Sequence, residues 1–74
     1  MKDLRSLEEL HAYTAAHSLV VIDFHASWCG PCKFVAPRYH TLAQKLPDVA
    51  FCKVDVDQAQ DIASFAGIRA MPTF

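Results

Sequence analysis

Two cysteines stand three apart in Trp28-Cys29-Gly30-Pro31-Cys32, between an apolar β-branched run and a stretch with helical apolar spacing. At the start of a helix, cysteines at this spacing can bring their sulfurs within bonding distance. The first then lies where unpaired backbone N–H groups and the positive end of the helix dipole favour a negative charge. A thiolate is the attacking species in disulfide exchange, so lowering its pKa activates it. The second cysteine, one turn further in, is expected to be the more buried and to resolve the mixed disulfide. Zinc is the competing chemistry. A structural zinc site takes four Cys or His ligands, often from two such pairs. The remaining cysteine, Cys52, falls in an expected strand, and His11, His17, His25 and His40 show no paired ligand spacing. The motif therefore reads as redox rather than metal-binding.

Three further residues could take part. Asp23 interrupts the run Leu19-Val20-Val21-Ile22-Asp23-Phe24. It is either a strand-end acid facing solvent or a buried one. A buried carboxylate is costly unless neutral or paired, and burial raises its pKa into a range useful for proton transfer. Cys52 reads as a small core residue, with a regulatory thiol as the alternative. His25, four residues before Cys29, is either an ordinary strand-end histidine or a pH-sensitive charge near the site.

The elements that must position these residues are legible in outline. Lys2 to Arg5 is a short leading strand, and residues 6–17 read as a helix. Ser6 and Glu9 have the spacing of a capping box, with Leu7, Leu10 and Tyr13 or Thr14 on one face. Leu19 to Phe24 suits a strand buried on both faces. A helix follows the Ala26–Gly30 loop, with apolar residues at Val35, Tyr39, Leu42 and Leu46, and Pro37 inside it predicts a kink. Val49 to Val56 is the next strand, with Phe51, Lys53 and Asp55 on one face and Cys52, Val54 and Val56 on the other. Asp57 and Gln60 are placed to cap a third helix with Ile62, Phe65 and Ala66 as its apolar face, and Gly67 is placed to end it. Strand, helix, strand, helix in this order predicts a parallel βαβ arrangement.

Composition narrows the classes of function. Seventy-four residues suit one small domain, 1–74, whose core is marginal at this size. Apolar residues make up 53% and charged residues 20%, a globular balance. A net charge of −1 offers no basic footprint for nucleic acid or anionic membrane. Leu19–Ile22 is far too short to span a bilayer, and Met1-Lys2-Asp3-Leu4-Arg5 has no signal-peptide core. Three cysteines are an odd number for a secreted disulfide scaffold and suit a reducing, cytoplasmic location.

Asp23 through Lys33 resembles the active-site segment of the thioredoxin family. Pro37 matches that family's helix-kinking proline. Phe51-Cys52-Lys53-Val54-Asp55-Val56-Asp57 resembles its central strand, and Gly67 through Phe74 its cis-proline segment. The resemblance implies an α/β thioredoxin fold, with helices on both faces of a mixed, mostly parallel sheet, lacking the family's C-terminal third. It implies a protein-disulfide reductase with Cys29 as nucleophile, Cys32 as resolving thiol and Asp23 as the buried proton acceptor. Lys53 would bias the ionisation of Asp23, although a solvated strand lysine is the alternative. Trp28, Gly30, Pro31, Met71 and a cis Pro72 would form the substrate surface, with the Met71 backbone pairing to the substrate. The Gly-Pro pair between the cysteines is similar to that of the reducing members. No bound cofactor or metal is implied beyond the Cys29–Cys32 disulfide. Electrons would come from an NADPH-dependent flavoprotein, thioredoxin reductase. The missing strands would leave Leu19–Phe24 as an edge open to self-association, so a binding or assembly module with little turnover is the alternative function.

Overall fold

Alternation of apolar runs with helical stretches produces six elements in the computed structural model, which describes residues 1–74. They are β1 (Lys2–Asp3), α1 (Leu7–Ala16), β2 (Val20–His25), α2 (Gly30–Lys45), β3 (Ala50–Asp55) and α3 (Gln60–Ala66). The three strands form one sheet in the order β1-β3-β2, and both pairings are parallel. Val20 lies opposite Ala50, Asp23 opposite Lys53 and His25 opposite Asp55. Thr73 bridges Phe24 in the antiparallel sense on the outer side of β2, which makes the sheet mixed.

Residue alternation along the strands sends side chains to two different layers. On one face Cys52, Val54 and Phe24 pack with Leu4, with Leu10 of α1 and with Ile62 of α3, all buried. Val20, Ile22 and Val56 border this core. On the other face Phe51 meets the ring of Tyr39 from α2 edge-on, with centroids 5.4 Å apart. The Tyr39 hydroxyl donates to Val21 O at 2.9 Å and Cys52 O at 2.6 Å, so one side chain ties α2 to both long strands.

Local chemistry explains the helix ends. The Ser6 hydroxyl accepts the Glu9 N–H at 3.1 Å. The return arm differs from a capping box, because the Glu9 carboxylate takes the Arg5 N–H at 3.2 Å. Asp61 of α3 accepts the Leu7 N–H at 2.8 Å and so docks the start of α1 on α3. Gly67 ends α3 with φ 68°, a left-handed conformation that glycine adopts without a Cβ penalty. The Ile68 N–H then reaches Ala63 O at 3.1 Å.

Four expectations need correction. The residue before α3 is Ala59, without a side-chain cap, so neither Asp57 nor Gln60 caps that helix. Asp57 is engaged elsewhere, as described below. On α3 only Ile62 is buried, while Phe65 is 67% exposed and edges against the His11 ring. In α2 only Tyr39 of the four spaced apolar residues is buried, because no element covers that side of the helix. There Val21, Val35, Leu42 and Phe74 line an apolar groove of about 330 Å³. β2 is likewise not buried on both faces along its length: Val20 to Ile22 are half-buried, and Asp23 and Phe24 are buried. It is an edge strand, as the resemblance implied, but Thr73 covers the end at Phe24.

Ile62 is fully buried at the junction of α3 with the sheet. Ile62→Ala should lower the unfolding free energy by about 2–5 kcal/mol. Phe65→Ala, one turn away but exposed, should change it by less than about 0.5 kcal/mol. Urea unfolding followed by circular dichroism distinguishes them.

Candidate active site

Pairing of β2 with β3 delivers the chain at Ala26 to the carboxyl end of the sheet, where it turns into α2. Cys29 is the residue immediately before the helix, extended at φ −87° and ψ 107°, and Pro31 occupies the first turn. Proline suits that position because its missing N–H would have had no helical partner. Cys29 and Cys32 are joined by a disulfide with Cα atoms 5.3 Å apart. The Cys32 N–H points at Cys29 Sγ, 3.1 Å away. Cys29 Sγ thus sits where a helix N-terminus concentrates positive potential, the environment that favours a thiolate once the disulfide is reduced.

The expected difference in burial between the cysteines is not found: each is 4% exposed. Their asymmetry lies in what each faces. Cys29 caps the helix, its N–H donating to Ala26 O at 3.1 Å, while Met71 and Val56 border the cluster both cysteines form with Ala26. Cys32 lines a cavity of about 110 Å³ together with Asp23, His25, Ala26, Lys33, Ala36 and Lys53. Water occupies about 30 Å³ per molecule in the liquid, so a small chain of waters fits there.

Asp23 is 4% exposed, and its Oδ1 is buried without a hydrogen-bond partner. The solvent-facing reading of Asp23 is therefore excluded. Burial pushes its carboxyl above the ordinary 3.8, opposed by the charges of His25 and Lys53. Lys53 is its register partner on β3 and only half-buried. The lysine is close enough to influence the acid without forming an ion pair with it.

Trp28 is 65% exposed. Its indole N–H donates to Asp57 Oδ2 at 2.7 Å. Asp57 is the residue the sequence reading misplaced. Its position is set by Asp55, whose Oδ1 accepts the N–H groups of Asp57 at 2.9 Å and Gln58 at 3.3 Å. The Asp-x-Asp spacing after an apolar strand was the available signal, since an Asp two residues before a backbone N–H builds such a turn. Beside Trp28, Gly30 and Pro31 are exposed, and a side chain added at Gly30 would meet nothing within 4 Å.

The Met71–Pro72 bond is cis. Met71 packs on the Ala26–Cys29–Cys32 cluster. The next residue after Pro72 is held to the sheet, with Phe24 N–H donating to Thr73 O at 2.8 Å. Of the residues singled out from the sequence, Cys29, Cys32, Trp28, Gly30, Pro31, Met71 and Pro72 thus gather at one end of the sheet. Asp23 and Lys53 lie in the layer behind them. Cys52 sits apart, fully buried, with its thiol pushed up to about 11 by burial. No cluster of His, Cys, Asp and Glu suited to a metal ion is formed.

The sequence model of the family described as Thioredoxin matches residues 5–74. Thioredoxin H1 of Arabidopsis thaliana is 54% identical over 67 residues, covering 90% of this chain and 59% of that protein. A thioredoxin of Ophiophagus hannah is 52% identical over 60 residues, covering 81% of this chain and 57% of its own length. The crystal structure of mitochondrial thioredoxin 3 from Saccharomyces cerevisiae, in its oxidized form, superposes with a TM-score of 0.94 at 43% identity, covering 97% of this chain and 68% of that one. The chain belongs to the thioredoxin family and has its fold. It spans somewhat less than two thirds of the length of these two curated relatives.

Asp23 generates a pH-dependent stability whose sign is fixed. Its carboxyl holds a proton more firmly in the folded chain than in the unfolded one. The stability gained by the protonated form is fully present below the ordinary value. It is lost as pH rises from there through the raised folded value. Asp23→Asn should flatten this fall and leave the chain more stable than wild type at neutral pH. Urea midpoints of both proteins across that range check the expectation, and a variant less stable than wild type at neutral pH contradicts it.

Proposed function

We propose that this chain is a dithiol–disulfide oxidoreductase that reduces protein disulfides. The observation that carries this reading is the Cys29–Cys32 disulfide at the N-terminus of α2, with the Cys32 N–H on Cys29 Sγ and Cys32 over the Asp23 cavity. In the reduced chain the Cys29 thiolate attacks one sulfur of a substrate disulfide. The substrate S–S bond breaks, and its other sulfur departs as a thiolate and takes a proton. Cys32 then gives its proton to Asp23 through the cavity. Its thiolate attacks Cys29 Sγ, the bond from Cys29 to the substrate breaks, and the internal disulfide forms. Two electrons have passed to the substrate. Lys53 keeps Asp23 a weaker base than burial alone would make it. The exposed Trp28, Gly30 and Pro31 offer a surface for the substrate, and the backbone of Met71, just before the cis Pro72 and packed on the cysteine cluster, offers it groups to pair with.

The cycle needs two electrons to reopen the disulfide. The family points to an NADPH-dependent flavoprotein, thioredoxin reductase, as their source, and to electron transport as the wider role. A reducing, cytoplasmic compartment suits a dithiol that must be kept reduced beside a free Cys52.

Cys32→Ser should accumulate a mixed disulfide between Cys29 and a disulfide-containing protein such as insulin. Cys29→Ser should reduce turnover with dithiothreitol by orders of magnitude and trap nothing. Mass spectrometry of the trapped adduct identifies the sulfur. An adduct on the Cys29→Ser protein and none on Cys32→Ser would reverse the two roles.

A second reading, a binding or assembly module with little turnover, is favoured by one observation. The apolar groove between β2 and α2, with Val21, Val35, Leu42 and Phe74, lies beside a sheet edge bridged only at Phe24. Open strand edges beside apolar side chains invite pairing with another chain. On this reading the chain self-associates through that edge. Sedimentation should then show a mass that rises with concentration, together with a concentration-dependent melt. A compact monomer with a constant melt removes the self-association.

A further inference from the structure

His25 lies two residues beyond Asp23 on β2, so both side chains project from the same face of the sheet. Both line the cavity that reaches Cys32. His25 Nε2 is buried without a hydrogen-bond partner, and so is Asp23 Oδ1. Buried polar atoms are nearly always partnered, and two orphans bordering one small cavity mark a place where protons or water are exchanged. The groups facing the imidazole are few. Asp23 shares its strand. Lys53 and Asp55 face it from β3, and Cys32 and Lys33 from α2. Asp55 is committed to the backbone of Asp57 and Gln58. Asp23 is therefore the carboxylate in the cavity that is left to respond to the charge of His25.

We propose that His25 is a positioning residue for Asp23, its imidazole setting how firmly Asp23 holds the proton that leaves Cys32. This rests on the reading of Asp23 as the proton acceptor. While the imidazole is charged, Asp23 stays ionised and is a weak base. Histidine is the side chain that changes charge in the physiological range of pH. When His25 loses its proton, Lys53 is the cation left to hold Asp23 ionised. The carboxylate then becomes a stronger base and takes the proton from Cys32 more readily. Among the influences on Asp23, His25 opposes burial ahead of Lys53. Release of substrate from the mixed disulfide thus gains a dependence on pH that the first attack by Cys29 lacks.

The test uses the full chain labelled with carbon-13 at the aspartate carboxyls. Asp23 is assigned with Asp23→Asn, and pH titrations are run by NMR on wild type, His25→Phe and His25→Lys. In wild type the Asp23 signal should move in two steps, one of them coincident with titration of the His25 ring. In His25→Phe it should move in one step, with its midpoint displaced to higher pH. In His25→Lys, where the charge is permanent, it should move in one step at lower pH than in His25→Phe. Stopped-flow kinetics should show the pH profile of the release phase altered in His25→Phe and that of the attack phase unchanged. Superimposable Asp23 titrations in wild type and His25→Phe overturn the inference. So does a release phase whose pH profile is the same in both. An Asp23→Asn protein with undiminished release instead overturns the reading of Asp23 as acceptor, whatever the titrations show.

Discussion

In the parallel pairing of β2 with β3, Val20 lies against Ala50 and His25 against Asp55, and a slip of one residue would turn every side chain of the strand to the other face. The consequences of such a slip can be traced. Phe24 would leave the core it shares with Leu10 and Ile62 and face α2. Asp23 would enter that core, away from Lys53 and from the cavity beneath Cys32. The loop at Ala26 would start a residue out of step, and the turn that places Cys29 at the head of α2 would be displaced. Few interactions guard the register as directly as the Tyr39 hydroxyl, which spans Val21 O and Cys52 O. Because Tyr39 belongs to α2, the helix that carries the cysteines is locked to the same register that places the acid.

The site divides its labour between two layers. The outer one, Trp28, Cys29, Gly30, Pro31 and Met71, is arranged by loops and helix ends. The inner one, Asp23, His25 and Lys53, is arranged by strand alternation. Cys32, carried on α2, joins the two through the cavity it shares with Asp23. The two cysteines are equally buried. What distinguishes them is electrostatic surroundings: a helix terminus for Cys29 and a protonatable cavity for Cys32. Burial therefore does not separate the two cysteines here, whereas position relative to α2 does.

Much of this could be read from the residues before any coordinates. The spacing of Cys29 and Cys32 after a β-branched run, Ser6 three before Glu9, and Gly67 after a short apolar helix each carry a local mechanism, and local mechanisms survive folding. The pairing of Asp23 with Lys53 was implied by the family resemblance alone, since faces were legible only for Val49–Val56. What was not legible depended on partners distant in sequence. Asp57 looked like a helix cap because its neighbours are helical, yet Trp28, 29 residues earlier, claims its carboxylate. Phe65 looked like core because it lies at helical spacing from Ile62, but the sheet is too narrow to reach it. The role of Asp61 in holding α1 required knowing that α1 and α3 share a face. Patterns in a sequence tell which side of an element is apolar; whether anything is there to cover that side is a question of three dimensions.

Cys52, set apart from the disulfide, gives the molecule a clock. It lies in the central strand, fully buried, with its thiol held in the unreactive protonated form. In the oxidised chain it is the sole free thiol, and a reagent can reach it only when the core it shares with α1 and α3 opens. Its rate of labelling therefore counts openings of that core, without denaturant. Where closing is faster than labelling, that rate divided by the rate for an exposed thiol is the equilibrium constant for opening. The same residue would record how far reduction of the neighbouring pair loosens the fold, since any loosening that reaches that core would quicken the count.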